Sequence, residues 1–232
     1  MNIQAFLRKI LLKHKATSES YISYLRKKGM RIGERTTIYS PNHCIIDETR
    51  PWMIEIGNDV QITHGCIILT HGYDWAVLKG VYGNVMGSCG KVHIGNNVFI
   101  GMNSVILKGV TVGNNVIIGA GSVINSDIPN NCVVAGNPAK VIMSLEDYYT
   151  KRLNAQEHEA MELVKEHRAV YGRNPSAYAM SEFFWLYTND LNGLHWSWIN
   201  QMEHIGNFEY SSKKLLENKC KYKDMQDFFE HC

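Results

Sequence analysis

An aliphatic residue returns every sixth position through the middle of this chain, and few folds tolerate that period. Ile94, Ile100, Ile106, Val112, Ile118 and Ile124 keep the step without a break, and Ile56, Ile62 and Ile68 keep it upstream. Ile32-Gly33-Glu34 and Ile38-Tyr39-Ser40 are weaker members. A helix is excluded, because Gly95, Gly101, Gly109, Gly113, Gly119 and Gly121 would each cost about 1 kcal/mol in a helix interior. Asn-Asn pairs and β-branched residues instead favour turns and strands. Each hexapeptide supplies one short strand and one turn. Three of them close a triangular coil of about 18 residues, and stacked coils pair as parallel sheets. The aliphatic residue points into the prism, while Gly and Asn occupy corners where positive φ costs little. One coil cannot bury its own apolar column, so only a stack is stable.

The chain divides into three parts. Residues 1–31 read as helical, with Leu7, Ile10, Leu11, Tyr21, Tyr24 and Leu25 at helical spacing. Residues 32–142 carry the repeat, with an irregular stretch over 40–55 marked by Pro41 and Pro51. Residues 143–232 return to helical patterns rich in aromatics, opening on Ser144 as an N-cap with Asp147 three residues on. Tyr149, Leu153, Ala160, Leu163 and Val164 line one face of a helix ending near Gly172, and the later aromatics read as core.

A formal net charge of +2 gives no basic field for nucleic acid. The six cysteines form no C-x-x-C pair, so we read them as reduced thiols and place the protein in the cytoplasm. No run approaches the ~18 apolar residues of a membrane span. The basic, apolar N-terminus is expected to pack on the main body; peripheral membrane contact is the less favoured role.

The beat breaks in one informative place. Ile68 and Ile94 are 26 residues apart, which is not a multiple of six. The upstream run stops at Thr70-His71-Gly72, a loop leaves over 72–91, and Val92-His93-Ile94-Gly95 resumes the repeat. An imidazole at such a corner is a candidate general base, since it titrates near neutrality and can take a proton from a weakly acidic hydroxyl. His64 and His93 are the competing histidines of this region. Asp74 and Trp75 lie beside His71. Asp74 is suited to orient an acceptor hydroxyl or the imidazole, and Trp75 to stack on a sugar face or anchor the loop.

The stretch Ile94–Ile142, ending in Ala135-Gly136-Asn137-Pro138-Ala139-Lys140-Val141-Ile142, resembles the hexapeptide-repeat acyltransferases. Its likeness is greatest to the maltose, galactoside and xenobiotic O-acetyltransferases and to related polysaccharide enzymes, and it covers residues 32–142. The resemblance implies a left-handed parallel β-helix, an exception to right-handed crossovers, assembled as a homotrimer with active sites between prisms. It implies acetyl-CoA as co-substrate, no metal, and His71 as the general base. It places an acceptor-binding asparagine at Asn42, with His43 and Asp47 competing for that place. It assigns CoA contacts to Gly101, Met102, Ala120, Asn125, Ser126 and Lys140, with Lys140 or Lys108 at the phosphates. Phe99 stands where the family often has Trp. The expected activity is O-acetylation of a carbohydrate hydroxyl, such as one on a surface polysaccharide or its precursor. N-acetylation of an amino-sugar and xenobiotic acetylation are the alternatives. A zinc-dependent carbonic anhydrase needs a different histidine spacing, a nucleotidyltransferase needs a Gly-rich phosphate loop before the repeat, and a purely structural prism predicts no CoA binding.

Overall fold

A computed structural model describes residues 11–232. Leu7 and Ile10 lie outside the described residues. The chain forms two compact units, one ending at Tyr148 and one of Tyr149–Cys232.

The first unit is a parallel β-helix, left-handed as the hexapeptide-repeat resemblance implies. Its first coil is β1 (Arg31–Ile32), β2 (Thr37–Ile38) and β3 (Ile45–Ile46). The second is β4 (Ile54–Ile56), β5 (Gln61–Ile62) and β6 (Ile67–Ile68). The third is β7 (Val92–Ile94), β8 (Val98–Ile100) and β9 (Val105–Ile106), and the fourth β10 (Thr111–Val112), β11 (Val116–Ile118) and β12 (Val123–Ile124). β13 (Cys132–Gly136) continues the stack, and β14 (Ala139–Ser144) folds back antiparallel to end it. Three sheets result, ordered β1-β4-β7-β10, β14-β13-β11-β8-β5-β2 and β12-β9-β6-β3.

The register explains the six-residue step. Ile32, Ile56, Ile94 and Val112 stack in the first sheet. Ile38, Ile62, Ile100, Ile118 and Val134 stack in the second, and Ile46, Ile68, Ile106 and Ile124 in the third. All thirteen residues are buried. Burial contributes about 1.5–3 kcal/mol per aliphatic side chain, but only where a coil above and below excludes water.

The Gly-Asn-Asn phrases build the corner between the first and second sheets. A Cβ on Gly95 would lie 2.7 Å from the Gly113 carbonyl oxygen, so only glycine permits this spacing. The first Asn of each phrase accepts from the coil before it: the Asn58 amide N–H donates to Asn96 Oδ1 at 2.8 Å, and that of Asn96 to Asn114 Oδ1 at 2.7 Å. The second adopts left-handed backbone, with φ of 55° at Asn97 and 57° at Asn115. Asn97 Nδ2 donates to Asn115 Oδ1, and Asn115 Nδ2 to Asn131 Oδ1. Asn115→Val removes two of these bonds and puts a β-branched residue at positive φ. We expect it to cost about 2 kcal/mol and to lower the thermal midpoint by about 5 °C. A melting curve checks this, and an unchanged midpoint contradicts it.

Helix α1 (Ser18–Lys27) starts at a capping box in which Thr17 and Ser20 exchange side-chain bonds. It buries Tyr21, Ile22 and Leu25 in the same core as the first coil, which shields the open end of the column. The segment 72–91 is not all irregular, since it holds helix α2 (Trp75–Tyr82), which ends at Gly83 with φ of 79°. The described cysteines, Cys44, Cys66, Cys89, Cys132, Cys220 and Cys232, are all free.

Helix α3 (Leu145–Tyr171) begins as its cap predicts, the Asp147 amide N–H donating to Ser144 Oγ at 3.0 Å. Gly172 stops it at φ of 66°. The second unit adds α4 (Trp196–Glu203), α5 (Phe208–Leu216) and α6 (Met225–Glu230). Its core holds Ala160, Val164, Phe184, Tyr187, Trp198, Phe228 and Phe229, with the Phe184 and Trp198 rings stacked at 5.3 Å. Tyr149 and Leu153, expected on one helix face with Ala160 and Val164, stay exposed while the latter two are buried. No helix among the described residues is long and apolar enough to cross a membrane.

Candidate active site

Two longer connections stack at one corner of the prism, where the third sheet turns back into the first. Ile46 to Ile56 takes ten residues and Ile68 to Ile94 takes 26, whereas Ile106 to Val112 keeps the step of six. Because Ile46 pairs with Ile68, both insertions leave the same edge, one coil apart. Their first residues therefore meet.

The meeting point is Asp47 and His71. Asp47 Oδ2 lies 2.7 Å from His71 Nδ1. The same oxygen accepts from the Thr70 hydroxyl and from the Thr70 amide at 3.3 Å. Oδ1 accepts from the Thr49 amide at 3.0 Å and the Thr49 hydroxyl at 2.6 Å. The Asp47 side chain is only 4% exposed. Burial alone would raise its pKa, but the hydrogen bonds from Thr49, Thr70 and His71 outweigh it and hold the carboxyl well below the usual range. An ionised carboxylate at Nδ1 keeps the ring proton there and leaves the lone pair on Nε2. Nε2 has no protein partner among the described residues.

The loop is clamped at this base. His71 bridges Cys89 antiparallel, and the Gly90 amide donates to the Thr70 carbonyl at 2.9 Å. Lys108, one coil further on, donates from Nζ to Ser88 Oγ. A half-open recess of about 300 Å³ is lined by Thr49, Arg50, His71, Gly72, Tyr73, Trp75, Gly87 and Ser88. Tyr73 meets the His71 ring edge-on at 5.7 Å between centroids, and its own ring lies tilted against Trp75 at 6.1 Å. A base, two aromatic rings and a cation thus share one small cavity.

Of the residues singled out in the sequence, His71 and Trp75 come together here. Asp74 is exposed and does not line the recess; Asp47, not Asp74, holds the imidazole. Asp47 is occupied on both oxygens, so it does not compete with Asn42 for an acceptor. Asn42 follows β2 at the corner between the second and third sheets, where His43 and His64 pack ring to ring at 4.4 Å. Gly101, Met102 and Ala120 stack at that same corner, with the Gly121 amide donating to the Met102 carbonyl at 2.8 Å. Asn125 and Ser126 follow β12 on the His71 edge, in line with Lys108. Lys140 is exposed on β14, paired with Ala135. His93 lies on the first sheet beside Glu55, 3.8 Å from its carboxylate. Among the described residues no three His, Cys, Asp or Glu side chains group to hold a metal ion.

Residues 91–126 match the bacterial transferase hexapeptide (six repeats) family. Protein CapG of Staphylococcus aureus is 44% identical over 142 residues, which is 57% of this chain and 81% of that protein. The chain belongs to the hexapeptide-repeat transferase family. It is an acyltransferase, as the family's named relatives are. The putative colanic acid biosynthesis acetyltransferase WcaB of Escherichia coli (strain K12) is 32% identical over 132 residues, 57% of this chain and 71% of that protein. The galactoside O-acetyltransferase of Escherichia coli (strain K12) is 52% identical over 64 residues, 26% of this chain and 32% of that enzyme. In this hexapeptide-repeat transferase, sequence reading missed Asp47 as the imidazole partner and Arg50 as a wall of the recess. The available signal was the corner itself: Asp47 follows Ile46 as Leu69 follows Ile68.

Proposed function

We propose that the chain is an acetyl-CoA-dependent O-acetyltransferase that acts on a carbohydrate hydroxyl by direct transfer. The observation that carries this is the His71–Asp47 contact at 2.7 Å beside an aromatic-walled recess. The acceptor hydroxyl enters the recess and gives its proton to His71 Nε2 as its oxygen attacks the thioester carbonyl. Asp47 stabilises the imidazolium that forms. The tetrahedral intermediate collapses, the C–S bond breaks, and the imidazolium returns the proton to the departing CoA sulfur. No acyl-enzyme is needed. Trp75 stacks on the sugar ring, and the names of WcaB and the galactoside enzyme support a saccharide acceptor.

The places of the remaining residues support a homotrimer. Asn125, Ser126 and Lys108 share the His71 edge, whereas Asn42, Gly101, Met102 and Ala120 occupy the next corner round the prism. A homotrimer sets one corner of each copy against the other corner of its neighbour. Acetyl-CoA then runs along a groove built from both, with Lys140 at its phosphates. The exposed Tyr73, Val77, Val81 and Tyr82 of the 72–91 segment give such a contact an apolar surface.

The test is release of free CoA from acetyl-CoA across a panel of sugars, amino-sugars and xenobiotics, with product NMR to locate the ester. Ester formation on a sugar is expected. Amide formation only, or CoA binding without transfer to any acceptor, overturns the reading, and a sedimenting mass of one chain removes the trimer.

A further inference from the structure

The recess contains a cation that the transfer chemistry does not use. Arg50 is half-buried, yet among the described residues its guanidinium has no ion pair and no hydrogen-bond acceptor. The other described arginines are different. Arg26, Arg31, Arg35 and Arg152 reach carboxylates, Arg168 reaches Asn174 and the Phe229 carbonyl, and Arg173 is exposed. A guanidinium carries five donors in a planar fork and loses hydration when half-buried, so it calls for an anion that the protein itself does not supply.

No neighbouring carboxylate is free to fill that place. Asp47 is consumed by Thr49, Thr70 and His71. Glu48 accepts from the Tyr21 hydroxyl at 2.9 Å and pairs with Lys15 at 3.6 Å. Asp74 lies outside the recess wall. Ser88, also in the wall, accepts from the Lys108 ammonium, which makes no ion pair among the described residues. Arg50 in the wall and Lys108 behind Ser88 therefore bring two positive charges close to His71.

The fold also fixes where Arg50 stands. Asp47 pins the Thr49 amide, and the Met53 amide closes on the Arg50 carbonyl at 2.9 Å in the turn that begins at Pro51. The carboxylate that aligns the imidazole thus also sets the backbone that presents the guanidinium. Base and cation are held in one frame, as recognition of two groups on one small acceptor requires.

We propose that Arg50 binds an anionic group on the acceptor, so that the sugar whose hydroxyl meets His71 also bears a carboxylate or a phosphate. This rests on the acetyl-acceptor reading above and narrows it from saccharides in general to acidic ones. A carboxylate or phosphate forms two parallel charge-assisted bonds with the fork, while Trp75 and Tyr73 pack the ring.

Binding is read without turnover, using matched methyl glycosides and methyl uronides of gluco, galacto and manno configuration. The sugar 1-phosphates form a third arm that separates phosphate from carboxylate. Titration calorimetry on the full chain with CoA present is expected to favour at least one acidic ligand over its neutral match by about tenfold. Arg50→Gln brings that ratio to about one, and Arg50→Lys restores part of it. Equal affinity for acidic and neutral partners, including no detectable binding of either, overturns the proposal, as does a preference that survives in Arg50→Gln. His71→Ala separates the two claims. Turnover that survives this change sinks the base assignment, and a charge preference that survives with it leaves Arg50 standing.

Discussion

His71→Ala is expected to cut transfer by orders of magnitude while the prism still folds. Removing a positioned general base typically costs 10²–10⁴-fold, and we expect a fall in kcat of about 10³-fold. The fold should tolerate the change because the clamp at this corner is made by backbone. Gly90 bonds the Thr70 carbonyl and His71 bridges Cys89 through main-chain atoms, neither of which needs the imidazole. Asp47 loses one of its partners but keeps those from Thr49 and Thr70. The CoA affinity of the variant should stay close to that of the wild type, since the proposed donor contacts lie on later coils. His64→Ala is the control, because His64 sits at another corner against His43. Near-normal kcat in His71→Ala, or its loss in His64→Ala alone, removes the assignment.

The prism was legible because its period is enforced locally. Each hexapeptide must place one aliphatic residue inward and one turn outward, and the coil above repeats the demand. The first coil is harder to read. Eight residues separate Ile38 from Ile46 and ten separate Ile46 from Ile56, so its register appears only once Ile46 is seen against Ile68. That uncertainty hid Asp47. Its partnership with His71 depends on which corner the irregular stretch turns, a fact of stacking rather than of spacing. His71 itself was legible because the repeat breaks there.

Other differences have equally physical causes. Helix α2 sits inside a segment that reads as a loop, since Gly72, Gly80 and Gly83 punctuate it. Its apolar residues Val77 and Val81 face outward, so no core periodicity announces it. In α3 the cap at Ser144 was readable because capping is a contact between residues three apart. Which turns of that helix are covered depends on distant segments, so Ala160 and Val164 are buried while Tyr149 and Leu153 are not. Five of the CoA residues named by resemblance occupy two corners, and Lys140 lies apart on β14, which a single chain's sequence does not reveal.

Asp47→Asn should disable the base without removing it. Two donors, the Thr49 amide and hydroxyl, face Oδ1, and only a carbonyl oxygen can accept from both. The amide nitrogen of Asn must then occupy the place of Oδ2, against Thr70 and His71 Nδ1. An N–H donor at that position makes Nδ1 the acceptor and moves the ring proton to Nε2, where the acceptor's proton has to go. The expected loss in kcat is between about 10² and 10⁴, with little change in CoA affinity. Stability responds as well, because the Thr70 amide now faces another donor, at a cost of about 1–3 kcal/mol. The sign with pH is fixed. The folded pKa of Asp47 lies below its unfolded value of about 3.9, so its contribution is complete above that value and is lost as pH falls through the folded one. The gap in melting temperature between wild type and Asp47→Asn should therefore be widest near neutral pH and narrow below about pH 4. Melting curves from neutral to acid pH, paired with kcat at neutral pH, check both halves. If the variant turned over within about threefold of wild type, far less than a misplaced ring proton costs, the carboxylate would have no part in holding the imidazole for catalysis.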